Sequence, residues 1–225
     1  MKDNNYPSQL LKDAVEAIGS LPGVGSRSAL RLALHLLKQP KENIHHFAKS
    51  IDRLAEEVRY CRVCSMLSDG DECAICADAR RDHSVVCVVE SVRDVMSIEA
   101  TGQYHGVYHV LGGIISPING VAPSDLTIRQ LVERIRNGAA ANDEEVPISF
   151  EDTTSVRIKE VILALSGDVE GETTSFYIFR QLKALGLSDL KVTTLARGLG
   201  FGDDLEYADA LTLGRSIMAR QPFKG

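Results

Sequence analysis

Long hydrophobic runs are missing from these 225 residues: none approaches the roughly 18 consecutive apolar positions that a membrane span needs. The opening stretch MKDNNYPSQL lacks the charged-then-apolar order of a signal peptide. The two absences lead to the expectation of a cytoplasmic protein with no membrane contact. A P-loop of the form GxxxxGK(S/T) is absent too, which argues against ATP hydrolysis, and no internal repeat is found. Nor is there an excess of positive charge, since 25 Lys and Arg face 31 Asp and Glu, leaving a formal net charge of −6. Any nucleic-acid contact must therefore come from a local basic cluster, not from a basic coat. Cysteines are few, and their number, five, would leave one unpaired in a disulfide framework. What remains is ordinary globular material, 44% hydrophobic and 25% charged, enough for one or two small domains.

The first third reads as helical. Leu11, Ala14, Val15 and Ile18 share one face after the start signals Pro7 and Ser8, which predicts a helix ending near Gly19. After Leu21-Pro22-Gly23-Val24-Gly25, a second stripe runs through Leu30, Ala33, Leu34 and Leu37, with Ser26 placed to cap it and Pro40 beyond its end. Ile44, Phe47, Ala48, Ile51, Leu54, Ala55 and Val58 predict a longer third helix. Up to Tyr60, the chain reads as an all-helical module.

From Ser84 the period changes. Val85-Val86-Cys87-Val88-Val89 is a continuous Val-rich run of the kind seen in buried strands of parallel sheets. Further strand candidates at 107–111, 161–165 and 191–195 alternate with helical stretches near 92–100, 125–137 and 173–185. Such alternation predicts a parallel α/β sheet. The polar, acidic stretch NGAAANDEEVPISFEDTTS reads as a surface loop inserted at about 138–154.

Between the two parts stand Cys61, Cys64, Cys73 and Cys76, two CxxC pairs separated by the short polar spacer SMLSDGDE. Each pair presents two sulfurs on one tight turn, and four thiolates so spaced can close tetrahedrally around Zn2+. Four cysteine ligands leave no open coordination position, so such a zinc is structural. The other reading is four unliganded or redox cysteines. Cys87, in mid-strand, reads as a small buried hydrophobe.

Two further patterns each admit two readings. In the Pro22-Gly23-Val24-Gly25 turn, Gly23 and Gly25 would let the backbone approach a DNA phosphate at a helix N-terminus, with Arg27 and Arg31 flanking it at i, i+4. Alternatively this is a plain helical hairpin with solvated arginines. His35, His45 and His46 read as solvated surface positions in either case. Glu90 directly follows the VVCVV run, while Asp168, Glu170 and Glu172 follow VILAL. At the carboxyl edge of a parallel sheet these carboxylates would converge on Mg2+, or they would simply begin the next helices.

LPGVGSRSA, the CRVC to CAIC finger and VVCVVE occur here in the order in which the bacterial RecR family carries them. YHVLGGIISPINGVAP, DVEGETTSFYI and LEYADALTLGRSI resemble that family as well, so the likeness spans nearly the whole chain outside the insertion. By this resemblance the chain is an α+β multi-module protein. It would comprise a helix-hairpin-helix DNA-binding module (1–60), a four-cysteine zinc finger (61–76), a Toprim domain with a parallel sheet (84–199) and a C-terminal assembly extension (200–225). The implied activity is that of a non-catalytic mediator of recombinational DNA repair. With RecO and RecF it would help load RecA onto single-stranded DNA coated by single-strand-binding protein. A homodimer or homotetramer ring that encircles duplex DNA is implied too. Gly23, Gly25, Arg27 and Arg31 would contact single- or double-stranded DNA, and Glu90, Asp168, Glu170 and Glu172 would bind Mg2+ weakly or touch RecO. Two other readings stand beside this one: a small Toprim enzyme that cleaves DNA with metal, and a zinc-dependent protein-interaction module without DNA affinity.

Overall fold

A computed structural model describes residues 6–140, 156–196, 198–199 and 204–218. The chain divides into two compact units, Met1–Val58 and Arg59–Gly225.

The first unit holds α1 (Gln9–Gly19), α2 (Ser26–Leu36) and α3 (Lys41–Glu57). Helices α1 and α2 pack through Val15, Ala29 and Ala33, with Leu11, Ile18, Val24 and Leu30 at the margin. The predicted stripe of α2 is thus rotated: Ala29 and Ala33 are buried, whereas Leu34 and Leu37 are 43% and 68% exposed. Alanines at the crossing let the two backbones approach closely, and the leucines one step around the helix are left outside. The cap also differs from expectation. Gly25 is the N-cap residue, extended at φ −78° and ψ 163°, Ser26 is already helical, and no side chain caps the first turn. The apolar face of α3 exists as predicted, but Phe47, Ile51 and Leu54 all remain exposed and the helix buries no residue.

The second unit begins with a short antiparallel pair, β1 (Arg59–Tyr60) and β2 (Leu67–Ser68). A Val-rich core then organises β3 (Asp82–Val89), α4 (Val92–Glu99), β4 (Gly106–Val110), α5 (Ile128–Ala140), β5 (Glu160–Ala164), α6 (Val169–Lys183) and β6 (Lys191–Thr194). α7 (Ala210–Met218) follows near the end of the chain. The four long strands are all parallel in the order β4-β3-β5-β6, so β3 and β5 are central while β4 and β6 are edges. Alternate residues feed two cores. Val86, Val88, Val107, Val161 and Leu163 face Leu131, Ile135, Ile178 and Leu182, and on the other side Cys87, Val89, Tyr108 and Val110 pack around Val95.

Helix boundaries move for local reasons. α5 starts at Ile128, after a 3-10 turn at Pro123–Asp125, and runs to Ala140. Residues 138–140, expected to open the inserted loop, are therefore helical, and the remainder of that segment lies outside the described residues. At buried Gly138 a Cβ would come within 2.5 Å of the Val156 carbonyl oxygen, so only glycine allows this approach. α6 starts at Val169, four residues earlier than predicted, because Asp168 caps it by accepting from Gly171 N at 2.7 Å. Of the predicted C-terminal extension, residues 200–203 and 219–225 lie outside the described residues. No described helix is long and apolar enough to cross a membrane.

Candidate metal centre and nucleic-acid interface

The β1–β2 hairpin shapes the first cysteine knuckle. Cys61 N donates to Met66 O at 2.7 Å and Ser65 N to Cys61 O at 2.9 Å, with Ser65 at φ +61° to close the turn. In the second knuckle, Ala77 N donates to Cys73 O at 3.0 Å and Cys76 N to Cys73 Sγ at 3.5 Å. Arg62 N to Asp71 O, at 2.9 Å, ties the two knuckles together. The four sulfurs are buried and lie within 4.8 Å of one another. Tetrahedral zinc, with Zn–S bonds near 2.3 Å, needs sulfurs about 3.8 Å apart, so this soft, closed donor set fits it. Four thiols this close do not ionise independently: the hydrogen bond from Cys64 drives Cys61 far down, and the bond with Cys61 drives Cys76 far up. A divalent cation removes that conflict by making all four thiolates. No cysteine is in a disulfide. Burial raises the Cys87 thiol to about 12, as suits the core position predicted for it.

This knuckle is docked on the outer edge of β4. Val110 N donates to Cys64 O at 2.8 Å, and Met66 and Ile75 pack against the sheet core. Two further outward groups of the strand are met by Arg134 of α5 and by Thr127 just before it: Arg134 Nη1 donates to Tyr108 O at 2.9 Å and Thr127 Oγ1 to Val110 O at 2.7 Å. Beyond the finger, Arg81 forks onto the Glu99 carboxylate of α4 and also donates to Gly106 O at 3.0 Å.

His109, between Tyr108 and Val110, is fully buried. Its Nε2 stands 3.0 Å from both the carbonyl and the hydroxyl of Thr127, and a carbonyl only accepts, so Nε2 carries the proton; Nδ1 is unprotonated and buried with no hydrogen-bond partner among the described residues. Burial, and then the Arg134 guanidinium, hold the His109 pKa down to about 3 against an ordinary 6.5. The unfolded chain takes up a proton below pH 6.5 that the folded chain refuses until about pH 3. The contribution to stability is therefore full above 6.5 and falls by about 1.4 kcal/mol per pH unit below it. Urea midpoints measured at pH 7.5 and 5.5 are expected to drop in the wild type and to drop less in His109→Gln, which keeps a donor near the Nε2 position. Equal drops would remove His109 as the cause.

The acidic residues do not form the expected convergent set. Glu90 accepts from Ser166 N at 2.5 Å, Asp168 caps α6 and accepts from Ser166 Oγ at 2.9 Å, and Glu170 accepts from Ser116 Oγ at 2.6 Å. Glu172 is exposed in the first turn of α6. Among the described residues the cysteines are the only group of three or more side chains spaced to hold a metal. Glu90 ties the ends of β3 and β5 together, and Asp168 starts a helix. Beginning a helix is the second role read from the sequence and fits Asp168, whereas the strand-to-strand tie of Glu90 is in neither reading.

At the hairpin, Gly23 has φ +80°, a left-handed conformation that glycine adopts at no steric cost, and Gly25 stands extended at the start of α2. Arg27 and Arg31 are exposed and, with Leu30, Leu34, His35 and Lys38, line a shallow groove along α2. His35 and Lys38 extend the basic row beyond the residues singled out from sequence; their spacing, i+4 and then i+3 from Arg31, carried that signal. Nothing local in the sequence pointed to Arg134, Thr127 or His109 at the sheet edge.

Comparison with known proteins covers the chain in four consecutive stretches. Residues 11–55 match the RecR helix-hairpin-helix model, 58–78 the RecR four-cysteine zinc finger domain, 84–196 a Toprim domain and 198–221 the RecR C-terminal model. Among curated relatives, a Recombination protein RecR from Bacteroides thetaiotaomicron is 50% identical over 99% of this chain and 98% of its own length. One from Porphyromonas gingivalis is 50% identical over 97% and 95%, and one from Flavobacterium johnsoniae 47% identical over 97% and 96%.

Proposed function

Because the chain belongs to the RecR family of recombination proteins, we propose that it is a DNA-binding mediator of recombinational repair that catalyses no reaction itself. The observation that carries the proposal is at the hairpin. α2 opens on two glycines with no side-chain cap, and the exposed row Arg27, Arg31, His35 and Lys38 continues along its surface. Bare amides at a helix N-terminus followed by the cations of Arg27, Arg31 and Lys38 form a phosphate track that reads backbone, not bases. Gly23 and Gly25 would supply the close backbone approach, and Arg27 and Arg31 the charge.

Zinc at Cys61, Cys64, Cys73 and Cys76 would hold the finger in shape and leave no coordination position for a substrate. The protein would act in the cytoplasm, at the nucleoid. RecO and RecF would be its partners in loading RecA onto gaps covered by single-strand-binding protein, with a homodimeric or homotetrameric ring as the working form. The exposed end of the Toprim sheet near Glu172 is a contact surface for RecO in this reading.

Salt titration of binding to labelled single- and double-stranded DNA, with Mg2+ present, tests the proposal. Two to three phosphate contacts by the α2 row give a log–log slope of roughly −2 to −3 on duplex. The DNA should remain intact. Cleavage that disappears in Glu90→Gln would replace this reading with the nuclease, and the absence of binding at any salt concentration would leave a protein-interaction module.

A further inference from the structure

The outer edge of β4 offers two groups in succession, the carbonyl of Tyr108 and the N–H of Val110. In parallel pairing, a carbonyl at one position and the N–H two residues later face a single residue of the neighbouring strand. Here the Val110 N–H meets Cys64 O at 2.8 Å and the Tyr108 carbonyl meets Arg134 Nη1 at 2.9 Å. Cys64 thus takes the accepting half of a neighbouring strand residue, and the guanidinium of Arg134 takes the donating half. That places a cation about one residue's width from a zinc-ligating cysteine.

Arg134 is half-buried, and its one hydrogen bond among the described residues goes to a neutral carbonyl. No carboxylate among the described residues pairs with it, although Arg81, Arg62 and Arg157 each have one. A guanidinium held away from water needs a compensating negative charge. A zinc ion with four thiolates carries a net charge of about −2, and that charge is also destabilising unless something cationic or polar faces it.

We propose that Arg134 is the outer-sphere counter-ion of the zinc–tetrathiolate centre, held by the Tyr108 carbonyl so that metal and α5 stabilise each other across the edge of the sheet. This rests on the reading of the four cysteines as a zinc site. Consistent with it, burial lowers the Arg134 pKa while the sulfurs of Cys76, Cys64 and Cys61 act in the opposite direction.

The full chain, purified with zinc, is titrated with a chromogenic chelator at fixed pH, as wild type and as Arg134→Met, Arg134→Gln and Arg134→Lys. Loss of the cation should weaken zinc retention by about 10- to 100-fold in the Met and Gln variants, the usual effect of removing an outer-shell partner. The Lys variant keeps the charge and should stay within about threefold of wild type. Should Arg134→Met fail to fold, the Gln and Lys pair gives the same ranking. An arginine that merely fills the strand edge predicts instead that Lys and Gln lose zinc alike, and that result would overturn the proposal. Melting supplies a second readout. The Met substitution should lower the melting temperature of the zinc-loaded protein and leave that of the stripped protein unchanged or raised, because the stripped chain no longer holds an arginine opposite a charged centre. An equal drop in both forms would also overturn the counter-ion. One zinc per wild-type chain with unchanged retention in all variants removes Arg134 alone, whereas a wild type without zinc removes the metal site itself.

Discussion

Cys61→Ser is expected to yield a protein that is largely insoluble or melts at least about 10 °C below the wild type. A structural zinc contributes binding energy of about 10–16 kcal/mol in small domains, comparable with the whole stability of an ordinary domain. The spacer between the knuckles, SMLSDGDE, is too polar to replace that energy by burial. The damage should not stop at the finger. Cys64 O covers the Val110 N–H, and Met66 and Ile75 pack on the sheet, so a loosened knuckle uncovers the β4 edge. An exposed parallel edge with its hydrogen-bonding groups free is a template for association between chains. Metal content by atomic absorption, thermal melts and light scattering check this together. Cys87→Ser is the control: buried in the sheet and far from any role in metal binding, it should shift the melt while leaving one zinc per chain. A Cys61→Ser protein that is soluble, melts like the wild type and retains zinc would refute the site.

Arg27→Glu combined with Arg31→Glu is expected to reduce DNA affinity by about 100-fold or more at low salt while leaving the melt unchanged. Each substitution removes a cation from the phosphate track and adds an anion, so attraction becomes repulsion at two successive positions. Both side chains are exposed and neither forms an ion pair among the described residues, so the fold has little to lose. The Arg→Lys pair at the same positions should keep most of the affinity, since a phosphate track needs charge more than the arginine fork. Fluorescence anisotropy with a labelled duplex measures both. Wild-type affinity in the double Glu variant would take α2 out of the interface.

Much of the second unit was legible because its strands carry their own signal. VVCVV is buried on both faces from Val86 to Val89, while VILAL is buried at Val161, Leu163 and Leu165 and half-buried between them, and continuous apolar stretches of this kind fit little else. The CxxC spacings likewise named the four cysteines, since the chemistry is local to two turns. What sequence did not convey depends on partners far along the chain. Ser116 reaches Glu170 across 54 residues and Arg134 reaches Tyr108 across 26, contacts that no periodicity announces. The choice between the two readings of the acidic residues was out of reach for the same reason. Residue type placed Glu90, Asp168 and Glu170 near strand ends, but the direction of each carboxylate is set by the donor it meets, and those donors are Ser166, Gly171 and Ser116. The rotation of α2 came from another cause. Leucines made the more conspicuous stripe, yet the tight crossing with α1 selects Ala29 and Ala33, the residues with the least side chain.

Gly138 against the Val156 carbonyl holds together the two points between which residues 141–155 lie. Once the ends of a segment are fixed, doubling its length costs only about 0.6 kcal/mol of chain entropy. A lineage can therefore lengthen or shorten the protein between these points, and an engineer can graft a peptide there, with little penalty to the sheet. The close approach itself hangs on a single hydrogen atom: a methyl group at position 138 would stand 2.5 Å from the Val156 carbonyl oxygen and force the two points apart.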